Sequence, residues 1–229
     1  MNALNSVYPS QLDAVNGTEL KVRRAAQSSE LEVLTEIYRE DTNIVVWQRQ
    51  LSETLKNSVD AFVGSNPTFQ TSMTLTPQRA LSSVRDALGD SYQDELSENI
   101  AELVDMFCCL FELKRAGLRV ATLDRAMCPR FHFDKIPCRL VTTFQGIATE
   151  WLPHKVVNRE KLGARNNGKP DSISGVYKSP HDIQRISSGD VALLKGELWQ
   201  GNEGAGLVHR SPEVPAGQPR LLLTLDFSD

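Results

Sequence analysis

The sequence predicts an α+β protein in which a helical N-terminal region, residues 1–117, packs on a β-sandwich or barrel made by residues 118–229. Two observations carry this prediction. Before Gly117 the apolar residues recur at the 3.6-residue spacing of helices, and after it they form short runs separated by turns. With 229 residues, the chain is long enough for one compact unit with a sizeable core.

Four helices are predicted in the N-terminal region. Each has an apolar stripe, and a turn-forming or helix-starting residue marks at least one of its ends. The short apolar run 44–47 could be a strand or the edge of a buried segment. The predicted helices cover residues 28–38, 51–62, 76–88 and 92–114.

Five β-like runs are predicted in the second region. The connection from 153 to 189 between them is long and polar. In a compact domain, a connection of that length is more often a functional loop than an irregular link, and we expect it to act as a lid. The runs cover residues 118–123, 130–144, 190–194, 207–209 and 220–227.

Composition and charge are those of an ordinary globular protein. Hydrophobic residues make up 40% of the chain and charged residues 24%, and the net charge of −4 gives no reason to expect nucleic-acid binding. The best candidate for a membrane span, Met106–Leu113, is short and interrupted by Glu112. The first residues lack the basic and then apolar order of a signal peptide. We expect a cytoplasmic protein with no nucleic-acid or membrane partner.

The four cysteines include no Cys-x-x-Cys pair, so the strongest signal of a zinc ribbon is absent. Cys108 and Cys109 lie in the most apolar part of the longest predicted helix and are interpreted as packing residues. Cys128 and Cys138 flank a segment with metal-ligand chemistry. A reducing compartment would keep all four as thiols.

That segment, CPRFHFDKIPCRL, places a histidine and a carboxylate two residues apart. On a strand, His132 and Asp134 share one face, whereas Phe131 and Phe133 share the other and can pack against the helices. An inward carboxylate is costly unless a divalent cation or an arginine compensates its charge. His209, which precedes a turn, is the candidate third ligand.

The order of these residues resembles that of the iron(II)- and 2-oxoglutarate-dependent dioxygenases. His-x-Asp is followed by a long gap, a histidine and, after ten intervening residues, Arg220. The resemblance implies a double-stranded β-helix, a jelly-roll or cupin-like barrel, in which His132, Asp134 and His209 bind iron(II). It implies that Arg220 holds the far carboxylate of 2-oxoglutarate by a bidentate ion pair. The run GDVALLKG, 189–196, is similar to the turn and strand that precede the distal histidine in such barrels.

The sequence departs from this family after the arginine. Where the family often has a serine or threonine two residues later, this chain has Leu222, and Thr224 is the next residue on the same strand face. The iron site is therefore better supported than the 2-oxoglutarate site. Arg220 and Thr224 remain the candidate contacts of 2-oxoglutarate.

Four sequence blocks are similar to a bacterial family known only as a domain of unknown function: CPRFHFD, TEWLP, GDVALLKGELW and GLVHRSP. Members of that family are often encoded beside zinc-responsive GTPases of the metallochaperone type. This resemblance implies a connection with metal and a GTPase as a candidate partner, but no reaction. It leaves zinc open as the metal, with Cys128 or Cys138 as an added thiolate ligand. Cys138 has the strand parity of the two predicted ligands if no bulge intervenes.

Four further residues near these blocks are site candidates. Glu150 and Trp151, an acid beside an aromatic residue at a strand end, could line the mouth of the pocket. Lys195 could do likewise, although alternating charges on a strand usually form its solvated face. Arg139 could bind an anionic substrate or balance nearby acids.

The leading hypothesis is a mononuclear iron(II) oxygenase that depends on 2-oxoglutarate and acts on an unidentified small-molecule or protein substrate. The alternative is a zinc-binding or zinc-delivery protein of metal homeostasis, without oxygenase activity. Iron(II) and 2-oxoglutarate are the cofactors of the first hypothesis, and zinc is the metal of the second.

Overall fold

The computed structural model describes residues 21–89, 94–166 and 168–228. The first 20 residues of the predicted helical region, and residues 92–93 of its longest predicted helix, lie outside the described parts. Within those parts, no helix is both long enough and apolar enough to cross a membrane.

The described residues form ten strands and four α-helices. The strands are β1 (Arg24–Ser28), β2 (Thr42–Trp47), β3 (Gln70–Leu75), β4 (Ala116–Leu123), β5 (Cys138–Gln145), β6 (Glu150–Leu152), β7 (Gln184–Arg185), β8 (Val191–Lys195), β9 (Val208–Arg210) and β10 (Arg220–Phe227). The α-helices are α1 (Glu53–Ser65), α2 (Pro77–Leu88), α3 (Asp94–Leu110) and α4 (Asp171–Ser174), and short 3₁₀ helices include Leu31–Tyr38.

Local sequence accounts for the helix ends. Ser52 caps α1, because its Oγ accepts a hydrogen bond of 3.1 Å from the backbone N–H of Leu55. Pro77 occupies the first turn of α2, where no backbone N–H is needed. α3 ends at Leu110, and Glu112 then adopts a left-handed backbone conformation with a φ of 54°.

The three longer helices confirm the predicted ones at 51–62 and 76–88 and, in its described part, the one at 92–114. The stretch predicted as a helix from residue 28 is partly strand and partly 3₁₀ helix. The N-terminal region is therefore mixed rather than helical: it contributes β1, β2 and β3, and β2 contains the run 44–47. The division at residue 117 stays a prediction, although strands from both sides of it share one sheet.

Two sheets form the β-structure. The large sheet has seven strands in the order β1-β2-β8-β5-β10-β4-β3, and the small sheet has three in the order β7-β6-β9. From β4 onward the chain passes back and forth between the two sheets, which is the arrangement of a jelly roll. An isolated bridge between His132 and His209 adds the segment before β5 to the edge of the small sheet.

The central strands of the large sheet are buried on both faces, and β10 illustrates how. Its alternate residues Leu221, Leu223 and Leu225 face the side covered by α1, α2 and α3 and are fully buried, and each such burial is worth about 1.5–3 kcal/mol. Leu222 faces the other way, into a cluster with residues of the small sheet. Arg220 and Thr224 have the same parity as Leu222 and therefore also face the space between the sheets.

The connection 153–189 is structured rather than a single open loop. It contains 3₁₀ helices, α4 and β7, and it encloses a third apolar cluster with the small sheet. Asp171 at the start of α4 is buried and accepts a hydrogen bond of 2.8 Å from the backbone N–H of Phe131. This contact ties the connection to the segment with the predicted ligands.

Candidate metal centre

The segment 131–134 lies beside β9 because His132 and His209 are bridged through their backbones. The N–H of each donates to the carbonyl oxygen of the other, at 3.0 Å and 2.9 Å. The two imidazoles therefore lie next to each other, with ring centroids 4.6 Å apart. This pairing brings together two histidines that are far apart in the sequence.

Asp134 completes the cluster. Its Oδ1 lies 3.7 Å from Nε2 of His132, and its Oδ2 lies 3.6 Å from Nε2 of His209. One ligand atom from each of the three residues can be chosen so that all lie within 4.8 Å of one another. Among the described residues this is the one group of three or more histidine, cysteine, aspartate or glutamate side chains that is close enough to hold a metal ion.

Hydrogen bonds orient both imidazoles toward that centre. Nδ1 of His132 lies 2.8 Å from the carbonyl oxygen of Arg130, and Nδ1 of His209 lies 3.3 Å from that of Leu207. A carbonyl oxygen accepts only, so each Nδ1 carries the proton and each Nε2 keeps its lone pair. Such second contacts are typical of metal-binding histidines.

Burial keeps His209 neutral. Burial first, and the neighbouring His132 second, lower the pKa of His209 to about 4. At neutral pH the imidazole is thus in the form that binds a cation, and no proton has to be displaced.

The backbone after Asp134 is held by the end of β8. The N–H groups of Gly196 and Glu197 donate to the carbonyl oxygens of Pro137 and Asp134, at 2.8 Å and 2.9 Å. A Cβ atom on Gly196 would overlap the carbonyl oxygen of Ile136, so only glycine permits this approach. The GDVALLKG run, 189–196, thus positions the ligand segment as well as forming a strand.

Arg139 on β5 fixes the carboxylate of Asp134. Its Nη1 donates to Oδ2 of Asp134 at 2.6 Å, while Nε and Nη2 hold both oxygens of Asp226 at 2.8 Å. The guanidinium is anchored by one acid and orients the other. Arg139 thus balances nearby acids, which is one of the two roles predicted for it; the other is binding an anionic substrate.

Arg220 is fully buried between the sheets. Its Nη1 donates to Oγ of Ser211 at 2.8 Å, and its Nη2 donates to Oγ1 of Thr143 at 3.1 Å and of Thr149 at 3.5 Å. No carboxylate of residues 21–89, 94–166 or 168–228 pairs with it, and its buried Nε has no hydrogen-bond partner there. Burial lowers the pKa of Arg220 to about 10.

A cavity of about 60 Å³ joins the guanidinium to the imidazoles. Its floor includes Leu222 and Thr224 from β10, which agrees with their predicted strand face. The residues that line it are Met127, Cys128, His132, Arg139, Val141, Thr149, Leu194, His209, Arg210, Ser211, Arg220, Leu222 and Thr224. The metal cluster and the buried cation therefore share one space.

Three candidates lie away from this cavity. Glu150 is buried and forms ion pairs with Arg185 at 2.5 Å and Arg210 at 2.8 Å. Trp151 is buried in the apolar cluster between the sheets, not at a pocket mouth. Lys195 is neither solvated nor at the site: it is 1% exposed on the helix-covered face, and its Nζ donates to the carbonyl oxygen of Arg39.

Neither flanking cysteine joins the cluster. Cys138 is buried in the core on the helix-covered face, where burial raises the pKa of its thiol. The parity with Asp134, predicted for an uninterrupted strand, does not apply, because the chain bends between the two residues. Cys128 is exposed and lines the cavity, but its sulfur is not among the clustered ligand atoms.

The two phenylalanines also differ from the prediction. Phe131 packs with Leu152, Val176 and Val208, and Phe133 lies against the same cluster, so both face the small sheet and the connection 153–189 rather than the N-terminal helices.

Sequence reasoning missed most of the polar groups that support the site. Thr143 and Ser211 hold Arg220 together with Thr149 of the TEWLP block, and Asp171 holds the ligand segment. A weak signal existed for Ser211, which comes two residues after His209. None existed for Asp171, because its contact spans 40 residues.

Comparisons with known proteins give one family and several distantly similar structures. The model of a family described as "Protein of unknown function (DUF1826)" matches residues 28–226. No curated protein matches the chain. Among solved structures, a rice dioxygenase for auxin oxidation is 12% identical, with 90% of this chain and 82% of that chain covered and a TM-score of 0.46.

Two further solved structures have similar values. A Pseudomonas putida prolyl-4-hydroxylase is 10% identical, with coverage of 86% and 98% and a TM-score of 0.46. The Arabidopsis thaliana dioxygenase for auxin oxidation 1, in a binary complex with 2-oxoglutarate, is 9% identical, with coverage of 91% and 93% and a TM-score of 0.47. Likeness at this level transfers no activity, so an inference about function has to begin with the side chains of the site.

Proposed function

The chain belongs to the DUF1826 family, and we propose that it is a mononuclear iron(II) oxygenase that uses 2-oxoglutarate. His132, Asp134 and His209 would hold the metal. Arg220 would bind the cosubstrate, with Thr224 beside it. The substrate would be an organic molecule or a protein side chain with an oxidisable C–H bond.

One observation carries the proposal: a two-histidine, one-carboxylate cluster opens onto the same cavity as a buried arginine without a carboxylate partner among the described residues. Two imidazoles and one carboxylate form the ligand set of non-haem iron(II) oxygenases, because three protein ligands leave positions open for other ligands. When bound, iron(II) would supply the activation of oxygen, coupled to decarboxylation of 2-oxoglutarate and oxidation of the substrate.

The donor set fits a divalent metal ion. Both Nε2 atoms have free lone pairs, and His209 is neutral at physiological pH. Oδ2 of Asp134 accepts from Arg139, and the lone pairs of Oδ1 remain available to a metal ion. Arg139 therefore acts as a positioning residue, since it holds the carboxylate at one rotation through its anchor on Asp226.

The 2-oxoglutarate part rests on Arg220. A guanidinium buried without an opposite charge costs several kcal/mol, which a carboxylate ligand would offset. Its hydrogen bonds to Ser211 and Thr143 fix the plane of the group, and the cavity separates it from the imidazoles. A dicarboxylate in this cavity would offer one carboxylate to the guanidinium and the other to the metal.

The zinc alternative lacks its distinguishing ligand. A thiolate among the ligands would favour zinc over catalytic iron. Cys128 and Cys138 both lie outside the cluster of ligand atoms, within the part of the chain that the structure describes. The cluster therefore has no thiolate to favour zinc, and its two imidazoles and one carboxylate match the ligand set of non-haem iron(II) oxygenases.

Metal analysis after anaerobic purification tests the proposal. The wild-type protein should bind one equivalent of iron(II), and adding 2-oxoglutarate and oxygen should produce succinate even without the substrate. His132→Ala should lose both the iron and the succinate. His181→Ala is the matched control, because His181 is an exposed histidine outside the cluster.

The oxygenase proposal fails if iron(II) binds no more tightly to the wild-type protein than to His132→Ala. Retention of zinc against iron(II), with no succinate formed, would support the metal-homeostasis alternative instead.

A further inference from the structure

A second cleft, of about 690 Å³, lies apart from the metal cavity. Its volume is within the usual range for small-molecule sites. It shares no lining residue with the metal cavity. Six of its lining side chains are basic: Lys21, Arg23, His154, Lys155, Arg159 and Lys178.

The positive charge of the cleft is only partly neutralised. Arg23 donates to Oδ1 of Asn202 at 2.8 Å and to two backbone carbonyl oxygens, so neutral acceptors hold it in place. Arg159 donates to the carbonyl oxygen of Gly206 at 2.9 Å and meets one carboxylate oxygen, that of Glu197, at 3.3 Å. Both guanidiniums are therefore held rigidly, and Arg23 keeps its full charge.

The flexible cations of the rim are exposed. Lys155 and Lys178 are open to solvent, and Lys21 pairs with Glu203 at 3.3 Å. Glu160 is the acidic side chain among the described lining residues. In a chain with a net charge of −4, this concentration of cations in one concave site is a local exception.

His154 responds to this field. Burial first, and then the charges of Arg159 and Arg23, lower the pKa of His154. Its Nδ1 is buried and has no hydrogen-bond partner among the described residues. A neutral imidazole with an unsatisfied nitrogen is a group that a polar ligand atom could complete.

The walls between the cations are apolar. Val22, Val156 and Val157 line them, and Val156 and Val157 pack against the cluster that also contains Phe131 and Phe133. A ligand that fits must therefore combine an apolar body with a negatively charged end. We propose that this cleft binds an amphipathic small-molecule anion, an apolar group that bears a carboxylate, sulfonate or phosphate.

The cleft lies behind the ligand segment. The guanidinium of Arg159 stacks over the ring of Phe133 at 5.0 Å, and Phe133 stands between His132 and Asp134 in the sequence. The cleft is therefore a separate site, linked to the ligand segment through the contact of Arg159 with Phe133.

Titration of the metal-free protein with 8-anilino-1-naphthalenesulfonate, an aromatic sulfonate with fluorescence that rises in apolar sites, tests this proposal. Binding should saturate at one equivalent and weaken as salt is added. In K155E/K178E the affinity should fall about tenfold, because each reversal replaces one attraction by one repulsion, each worth a few-fold at an exposed position.

The matched control is K56E/R79E, which changes the net charge of the protein by the same amount at two exposed residues of α1 and α2. Its affinity should stay within about twofold of wild type. Near-UV circular dichroism of every variant should match wild type, because partly unfolded proteins bind this dye without a specific site.

Three results would overturn the proposal. One is the absence of saturable binding by the wild-type protein. Another is an equal loss in both double variants, which would make the effect one of net charge. The third is loss of binding in Arg220→Met with the lysine variants unaffected, which would place the dye in the metal cavity.

Discussion

Replacing Arg220 by methionine separates a ligand-binding arginine from a structural one. Methionine has a similar length and no charge, so it fills much of the same space between the sheets. In the folded protein the arginine is fully buried and hydrogen-bonds to the hydroxyls of Ser211 and Thr143. If the role of Arg220 is to bind a carboxylate, then burying its unpaired charge lowers the unfolding free energy of the ligand-free protein.

The magnitude follows from two opposing effects. A pKa of about 10 instead of the ordinary 12.5 means that burial disfavours the charged form of Arg220 by roughly 3 kcal/mol. Loss of the hydrogen bonds to Ser211, Thr143 and Thr149 costs about 1 kcal/mol each. The two effects nearly cancel, so Arg220→Met should change the unfolding free energy of the ligand-free protein by no more than about 1 kcal/mol, or its melting temperature by no more than about 2–4 °C.

Urea unfolding of the metal-free protein measures this change. In the iron(II) form, the affinity of Arg220→Met for 2-oxoglutarate should fall about 100-fold or more, because the charged hydrogen bonds to the far carboxylate are lost. Arg210→Met is the matched control. Arg210 is also largely buried, but it pairs with the buried acids Glu150 and Asp171, so its removal should destabilise the protein by about 3–5 kcal/mol. A loss of more than about 2 kcal/mol in Arg220→Met would refute the reasoning, because the arginine would then support the fold.

Three further outcomes are expected. Burial lowers the pKa of Lys195 from 10.5 to about 8, so between these pH values the folded protein holds fewer protons than the unfolded chain. The unfolding free energy of the wild-type protein should therefore rise with pH over this range. Lys195→Met should raise the unfolding free energy at pH 7 by up to about 3 kcal/mol and flatten its dependence on pH, as measured by urea unfolding; an unchanged pH dependence would contradict this prediction. Asp171→Asn should cost about 2–3 kcal/mol and speed trypsin cleavage within 153–189, and unaltered cleavage would mean that Asp171 does not hold this connection. Gly196→Ala should lower the unfolding free energy by more than about 2 kcal/mol, because its Cβ would overlap the carbonyl oxygen of Ile136. The control, Gly64→Ala, has open space around it and should be neutral or slightly stabilising. Thermal unfolding measures both changes.

The helices and the central strands were predictable because local sequence encodes them. Their apolar period, and signals such as Pro77, depend on neighbouring residues only. β1 and β3 were missed because pairing with other strands, and not a local apolar period, defines them. β1 pairs in parallel with β2 across the 3₁₀ helix between them, and β3 is an edge strand whose exposed residues alternate with half-buried ones and show little apolar period. Nothing within either segment indicates its partner.

The order of residues along the chain was enough to predict which side chains could form the cluster. It was not enough to predict the position of side chains that depends on their tertiary surroundings. His132, Asp134 and His209 were identified from their order and residue types. For Lys195 the strand pattern predicts a place at the pocket mouth or on a solvated face, but α-helices and the 3₁₀ helix cover that face of β8. Cys138 shares the parity of Asp134 only if the strand is uninterrupted, and the chain bends between them. Both differences arise from tertiary structure that a strand pattern does not contain.

The distribution of acids around the buried arginines is the strongest link between the fold and the proposed chemistry. Arg139 is matched by Asp226, and Arg210 by Glu150, each through contacts that span 60 residues or more. The fold thus neutralises these two guanidiniums with carboxylates. Arg220 is more deeply buried than either, yet hydroxyl groups alone hold it among the described residues. Since an unpaired charge costs more than a paired one, the carboxylate of the proposed cosubstrate would offset that cost, and the shared cavity would hold it next to the two imidazoles.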